Sequence, residues 1–372
     1  MTVPFLDLPA QYGDLKEELR PQLDQVLDTS AYILGPQAQQ FEEAFAKFLG
    51  VPHVVGVANG TDALLLSLKA LGVGRGDEVI TAANSFVATA EAISHAGATP
   101  VFADIDSVTY TIDVESVSAK ITSKTKALIP VHLYGQPADL GPLGDLVKRH
   151  GLLMLEDAAQ AHGASYRGTL VGAFGEAACF SFYPGKNLGA YGDAGAVATK
   201  RADLALLLRK LRDHGGVKKY EHEVVGFNSR LDGIQAAVLS VKLKRLHRWN
   251  MQRAAHAALY SMLLSDVPGV RVPVVRDKAT HVYHLYVIEV PARLRDPLRT
   301  YLTEQGISTG IHYPVPLHLT LAFAGLGYRR GDFPVAEACA ESVLSLPMYP
   351  ELRREQIEYV ADHVARYMKE HG

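Results

Sequence analysis

Between residues 54 and 199, short apolar runs alternate with segments of helical spacing, and this alternation leaves the chain very few folds. Strand-like runs fall at 54–57, 78–82, 100–104, 126–133, 152–155, 177–182 and 194–199. Most are apolar almost throughout, as strands covered on both faces by helices must be. Between and before them, 41–49 (closed by Gly50), 63–71 and 85–95 carry apolar residues at helical spacing. The pattern predicts an α/β domain with a mostly parallel sheet between helices.

It changes near Leu231. From there to about residue 264 the chain reads as one long helix, with no Gly after Gly233, ended by Val267-Pro268-Gly269. Residues 282–289 alternate in a way that predicts an antiparallel strand, and Ile357, Val360, Val364 and Tyr367 mark a last helix. The expected organisation is a large α/β domain over 1–245 and a smaller α+β domain over 246–372, with the long helix as bridge. A length of 372 residues suits two or three domains.

Composition excludes several classes. Lys and Arg total 37 against 40 Asp and Glu, a net charge of −3, which argues against a nucleic-acid binder that relies on basic residues meeting phosphates. Two cysteines, Cys179 and Cys339, make no disulfide scaffold and read as buried thiols. The first residues lack the layout of a signal peptide, and no run approaches the ~20 apolar residues of a membrane span. A cytoplasmic protein without membrane or nucleic-acid partners is expected.

Several motifs fail on context. Gly72-Val73-Gly74-Arg75-Gly76 follows a helix and precedes a strand, the reverse of a dinucleotide fingerprint, and reads as a turn. Gly185-Lys186-Asn187 lacks the first Gly and the Ser/Thr of a Walker loop. His222-Glu223 has Gly226 where a zinc pattern needs His, and the 15 histidines show no metal-ligand spacing, so no metal is expected. His312 and His318 straddle prolines, in loop positions that suit a cleft or plain surface.

Three strand-to-loop junctions carry polar residues. Ligands of α/β sheets sit beyond the carboxyl ends of strands. Asn59-Gly60-Thr61-Asp62 opens a helix and offers backbone N–H groups and a hydroxyl to an anion, or is an ordinary cap. Glu156-Asp157 follows an apolar strand, and because neighbouring strand residues point to opposite faces, one of the two reaches a ligand while a structural salt bridge remains the alternative for either. Lys186 follows another apolar strand among aromatics and glycines, where desolvation would make it a nucleophilic amine and solvation an ordinary loop lysine. Together they supply a phosphate cradle, a carboxylate and a reactive lysine, which is what pyridoxal phosphate (PLP) requires.

At these residues the chain resembles the fold-type-I PLP enzymes, and among them the sugar aminotransferases named after DegT, DnrJ and StrS. The resemblance runs from Pro4-Phe5-Leu6-Asp7-Leu8 through 56–65, 156–163, 181–196 and 228–235 to 312–319. It implies that Lys186 forms the Schiff base and shuttles protons, Asp157 pairs with the pyridine nitrogen and Gln160 contacts the ring hydroxyl. Gly60, Thr61 and Ser181 would bind the phosphate, Phe86 would stack on the ring, and Asn228 would reach the phosphate from a neighbouring subunit, which implies a homodimer. Tyr183, Tyr220, Tyr313 and His318 are candidate sugar contacts; Lys218, Lys219 and Arg230 are candidates for a diphosphate, with solvated surface charge as the alternative.

Tyr183 ahead of Pro184-Gly185-Lys186, with Gly192-Asp193-Ala194-Gly195 after it, is similar to members that aminate C3; C4 members more often carry His at the tyrosine position. Glutamate as donor, a dTDP-3-keto-6-deoxyhexose as first substrate and a UDP-3-keto sugar as second are what the resemblance implies. A PLP dehydratase of this family would have His in place of Lys186, and a regulatory sensor would keep the fold without the chemistry.

Overall fold

A computed structural model describes residues 1–372. In chain order the elements are α1 (Leu8–Thr29), α2 (Pro36–Leu49), β1 (His53–Val57), α3 (Gly60–Ala70), β2 (Glu78–Ala82), α4 (Ala88–Ala96), β3 (Thr99–Ala103), α5 (Val114–Lys120) and β4 (Thr125–Ile129). They continue as α6 (Leu140–His150), β5 (Leu153–Asp157), β6 (Ser165–Tyr166), β7 (Thr169–Leu170), β8 (Ala177–Ser181), β9 (Gly195–Thr199), α7 (Ala202–Arg212) and α8 (Gly233–Leu264). The rest are β10 (Tyr286–Glu289), α9 (Ala292–Glu304), α10 (Pro334–Ser342), β11 (Val343–Leu346) and α11 (Arg354–His371).

Seven strands form one sheet in the order β1-β9-β8-β5-β4-β2-β3. The neighbours from β8 through β3 pair in parallel, while β9 is antiparallel to both β8 and β1. Six strands therefore end at one edge of the sheet, where their loops gather. The apolar runs are buried on both faces: Val55, Val57, Val79, Ile129, Leu155 and Cys179 share one core, and Phe180, Ala196 and Ala198 face another with Phe41 and Phe45 of α2. Both cysteines are free and buried.

The long helix forms as its sequence requires. It starts at Gly233, where a Cβ would lie 2.2 Å from the Ala31 carbonyl oxygen, so a bare backbone is needed for that approach. Its first half packs Ala236, Leu239 and Leu246 on the large core; Ala257, Tyr260 and Leu264 join a second core with α9 and α11. A division near residue 245 thus falls inside an unbroken helix. Val3 bridges Ile307 and is buried in that second core, which ties the first residues to the C-terminal unit.

Three expected boundaries shift. The helix expected from residue 85 starts at Ala88, because Asn84, Ser85 and Phe86 form the turn beside the cavity described below. The strand expected over 126–133 ends at Ile129; beyond Pro130, Val131 bridges Asp157 and a short 3-10 turn follows at Leu133–Gly135. Of the strand expected over 282–289, only Tyr286–Glu289 pairs with β11, because Val282 and Leu285 donate instead to Gly135 and Tyr134 of the large unit. No helix is long and apolar enough to cross a membrane.

Candidate active site

The carboxyl ends of β1, β2, β4, β5 and β8 surround a cavity of about 700 Å³, lined among others by Gly60, Thr61, Phe86, Asp157, Gln160, Ser181, Tyr183, Lys186 and Tyr313. Parallel strands put their following loops on one side, so residues more than a hundred positions apart meet there.

Lys186 sits on a loop that doubles back on itself. Its N–H donates to the Tyr183 carbonyl at 2.8 Å, and a Cβ at Gly189 would lie 2.3 Å from the Pro184 oxygen. Lys242, from α8, closes the loop from behind by donating to the Gly189 carbonyl at 2.7 Å. Burial lowers the Lys186 amine to about 8, and the Asp157 charge only partly opposes that shift. A lysine so placed is uncharged in roughly a tenth of molecules at pH 7, several hundred times more often than a solvated lysine, and so is a usable nucleophile.

The two carboxylates at the end of β5 point to opposite faces. Asp157 faces the cavity, where Oδ2 accepts from Thr89 Oγ1 at 2.8 Å and Oδ1 from the Ala159 N–H at 3.2 Å. Burial raises its pKa, and the Thr89 hydrogen bond holds that rise in check. Because Thr89 gives its proton to Asp157, Ser85, 2.8 Å away, must be the donor to Thr89. Glu156 turns away and accepts from the N–H groups of Gly172, Phe174 and Gly175 at 2.9, 2.8 and 3.0 Å, with His132 Nε2 at 3.1 Å. Burial alone would raise Glu156, but the His132 and backbone bonds together lower it. Glu156 is a structural anchor; Asp157 is a buried carboxylate with spare acceptor capacity aimed at a ligand.

Gln160 is held at both ends. Its Oε1 accepts the Tyr134 N–H at 2.7 Å, and its Nε2 donates to the Tyr313 hydroxyl at 3.0 Å, leaving one amide hydrogen for the cavity. At the opposite wall α3 begins. Asn59 Oδ1 accepts the Asp62 N–H at 2.8 Å, and the N–H groups of Gly60 and Thr61 have no partner within the helix. A Cβ on Gly60 would lie 2.6 Å from Ser181 Cβ, so only glycine lets this helix start approach the end of β8. Phe86 and Tyr313 form an aromatic wall, their ring centroids 5.9 Å apart, and Tyr183, 60 % exposed, stands at the mouth.

Other expected site residues lie elsewhere in the chain. Asn228 is exposed and pairs with Asp213 rather than lining its own chain's cavity. Arg230 donates to Asp213 Oδ1 at 2.8 Å, Lys218 pairs with Glu221, and Lys219 lies over the exposed Tyr220 ring. His318 corrects an expectation. It is 1 % exposed, pairs with Glu337 Oε1 at 2.9 Å and packs on Phe333, so it holds the core and presents nothing to a sugar. Thr89, Tyr134, His284 and Phe5, by contrast, take part in or line the cavity although sequence reasoning gave them no role. Thr89 and Tyr134 carried a weak signal, since each closely follows a strand end on the cavity side.

The family profile that matches residues 13–365 is the DegT/DnrJ/EryC1/StrS aminotransferase family. The chain belongs to that family. It is 51 % identical over 371 residues to a pleiotropic regulatory protein of Geobacillus stearothermophilus, covering 99 % of each. It is 48 % identical to the dTDP-3-amino-3,4,6-trideoxy-alpha-D-glucose transaminase of Streptomyces venezuelae (98 % of this chain, 96 % of the relative). It is 45 % identical to a UDP-N-acetyl-3-dehydro-alpha-D-glucosamine 3-aminotransferase of Acidithiobacillus ferrooxidans (100 % and 98 %). Among solved structures, S. venezuelae DesV in complex with a ketimine intermediate superposes with a TM-score of 0.97 at 47 % identity, over 99 % of both chains. Bacillus subtilis NtdA with bound PMP superposes at 0.92 with 32 % identity (99 % and 85 %).

This aminotransferase has the fold-type-I architecture, and its cavity fits PLP. The unpartnered N–H groups at the start of α3, with the Thr61 and Ser181 hydroxyls, suit a phosphate. The spare acceptor capacity of buried Asp157 suits a protonated ring nitrogen, the free hydrogen of Gln160 a ring hydroxyl, and the desolvated Lys186 amine an aldehyde.

Proposed function

We propose that this aminotransferase moves the amino group of glutamate to the C3 keto carbon of a nucleotide-linked 3-keto-6-deoxyhexose, with dTDP as the nucleotide. The observation that carries the reading is the meeting of a desolvated Lys186 amine and an Asp157 carboxylate without a cationic partner in one cavity. Tyr183 at the mouth, followed by Pro184-Gly185-Lys186, supports amination at C3, as does the likeness to relatives named for C3 transfer.

PLP, when bound, draws electrons from the substrate carbon being deprotonated. The chain's own residues do the rest. Asp157 keeps a proton on the ring nitrogen, since a buried carboxylate held by Thr89 remains an acceptor. Lys186 Nζ takes the proton from Cα of glutamate in one half-reaction and delivers one to C3 of the sugar in the other. The start of α3 holds the phosphate while Phe86 and Tyr313 cover the cavity from solvent.

The functional unit in this reading is a homodimer. Lys219, Tyr220, Asn228 and Arg230 do not line their own chain's cavity, and in this reading they would serve a partner's cavity and its diphosphate.

The test is a visible absorption band in the PLP-loaded protein that shifts when glutamate is added, and its loss in Lys186→Ala. No shift in the wild type would contradict the reading and favour a ligand sensor.

A further inference from the structure

His284 lines the cavity, and its tautomer is set by a chain of amides behind it. The chain starts at two backbone carbonyls, which can only accept. Asn250 Nδ2 donates to the His162 carbonyl at 2.8 Å, so Asn250 Oδ1 faces Asn187. Asn187 Nδ2 gives its two hydrogens to Asn250 Oδ1 and the Val282 carbonyl, both at 2.9 Å. Turning either amide would set oxygen against oxygen. Asn187 Oδ1 is therefore an acceptor, and His284 Nδ1, 3.2 Å away, must carry the hydrogen. Burial and the Lys186 charge push His284 well below its ordinary value, which keeps the ring neutral. A neutral ring with its hydrogen on Nδ1 has a lone pair on Nε2. His284 makes no other side-chain hydrogen bond, so Nε2 is left for whatever enters the cavity. His312, also lining the cavity, is not fixed in this way, because its Ser345 partner can either donate or accept.

We propose that His284 is a specificity-determining residue whose Nε2 accepts a hydrogen bond from a hydroxyl of the keto-sugar substrate. The proposal rests on the reading of the enzyme as a keto-sugar aminotransferase. The two substrates differ in what they offer such an acceptor. Glutamate brings carboxylates, which only accept and are repelled by a lone pair, and an amino group that is consumed at the cofactor. A hexose brings several hydroxyls, any of which can donate. One fixed acceptor therefore favours the sugar and is neutral or adverse toward the amino donor.

Two measurements test this. Neutron diffraction from crystals of the holoenzyme is expected to show a deuteron on His284 Nδ1 and none on Nε2; a deuteron on Nε2 overturns the proposal. The two half-reactions are then followed separately by absorbance in wild type and His284→Leu, using whichever nucleotide-linked keto sugar the wild type accepts. The sugar half-reaction is expected to slow by ~10-fold or more, the cost of one lost substrate hydrogen bond, with the glutamate half-reaction within about twofold. Equal losses in both would overturn the proposal, because His284 would then act on Lys186 or the loop. A sugar other than the dTDP-linked 3-keto one would revise the function and leave this comparison intact.

Discussion

Thr89 Oγ1 donates to Asp157 Oδ2 across 2.8 Å, joining the first turn of α4 to the end of β5 in the wall of the cavity that Lys186 also lines. The bond keeps Asp157 from rising in pKa as far as burial alone would drive it. Thr89→Val should therefore make Asp157 more basic, draw the shared proton from the cofactor's ring nitrogen toward the carboxylate, and lower kcat by ~10-fold with little change in KM. Unchanged kcat would show that Asp157 needs no such support.

Asp157 and Glu156, adjacent in sequence, should separate in their effects. Glu156→Gln weakens the buried bonds to Gly172, Phe174, Gly175 and His132 and is expected to cost about 2–4 kcal/mol of stability, read from denaturant unfolding, while the folded fraction keeps its kcat. Asp157→Asn is expected to do the reverse, nearly abolishing activity with a small change in unfolding midpoint. Identical phenotypes would contradict the assignment of one carboxylate to the frame and the other to the chemistry.

This division shows what the sequence could and could not reveal. Period-two geometry said that only one of the pair reaches a ligand; the choice between them depends on the Gly172–Gly175 turn, which nothing local predicts. Lys186 and Gly60 sit in strand-to-loop junctions whose local pattern marks them as candidates, Gln160 is marked by the family resemblance, and the structure brings all three to one cavity. His318 misled because its loop reads as accessible, whereas Glu337, nineteen residues on, draws it into the core. Thr89 and the amide chain behind His284 escaped notice because their meaning lies in partners far along the chain. The same limit explains the strand expected over 282–289: alternation was present, but Gly135 and Tyr134 claimed its first half.

The buried Lys186 amine has a cost that pH should expose. Its value in the folded protein, about 8, lies below its ordinary 10.5, so in that window the unfolded chain binds more protons and stability rises with pH. The penalty is present in full below about 8 and fades toward 10.5, amounting to at most about 3 kcal/mol. Lys242, lowered to about 7, contributes with the same sign, so the comparison must be between wild type and Lys186→Met. Without cofactor, Lys186→Met is expected to be the more stable protein at pH 7, with the gap narrowing by pH 10 in urea titrations. A gap that does not change with pH would show that the amine is not desolvated.

Gly60→Ala tests the phosphate cradle. The added methyl would sit 2.6 Å from Ser181 Cβ and force the start of α3 away from β8. PLP affinity, measured by fluorescence titration of the apoprotein, is expected to fall by ~10-fold or more, while the far-UV spectrum stays that of the wild type. Wild-type affinity would place the phosphate elsewhere.

The reaction itself is tested most directly by mass spectrometry of the products formed from glutamate labelled with ¹⁵N and a panel of dTDP- and UDP-linked 3-keto and 4-keto sugars. The expected result is one ¹⁵N in the dTDP-linked 3-amino-6-deoxyhexose, formed faster than any other product and absent with Lys186→Ala. Faster amination of a 4-keto sugar, or label incorporation that survives loss of Lys186, would contradict the account.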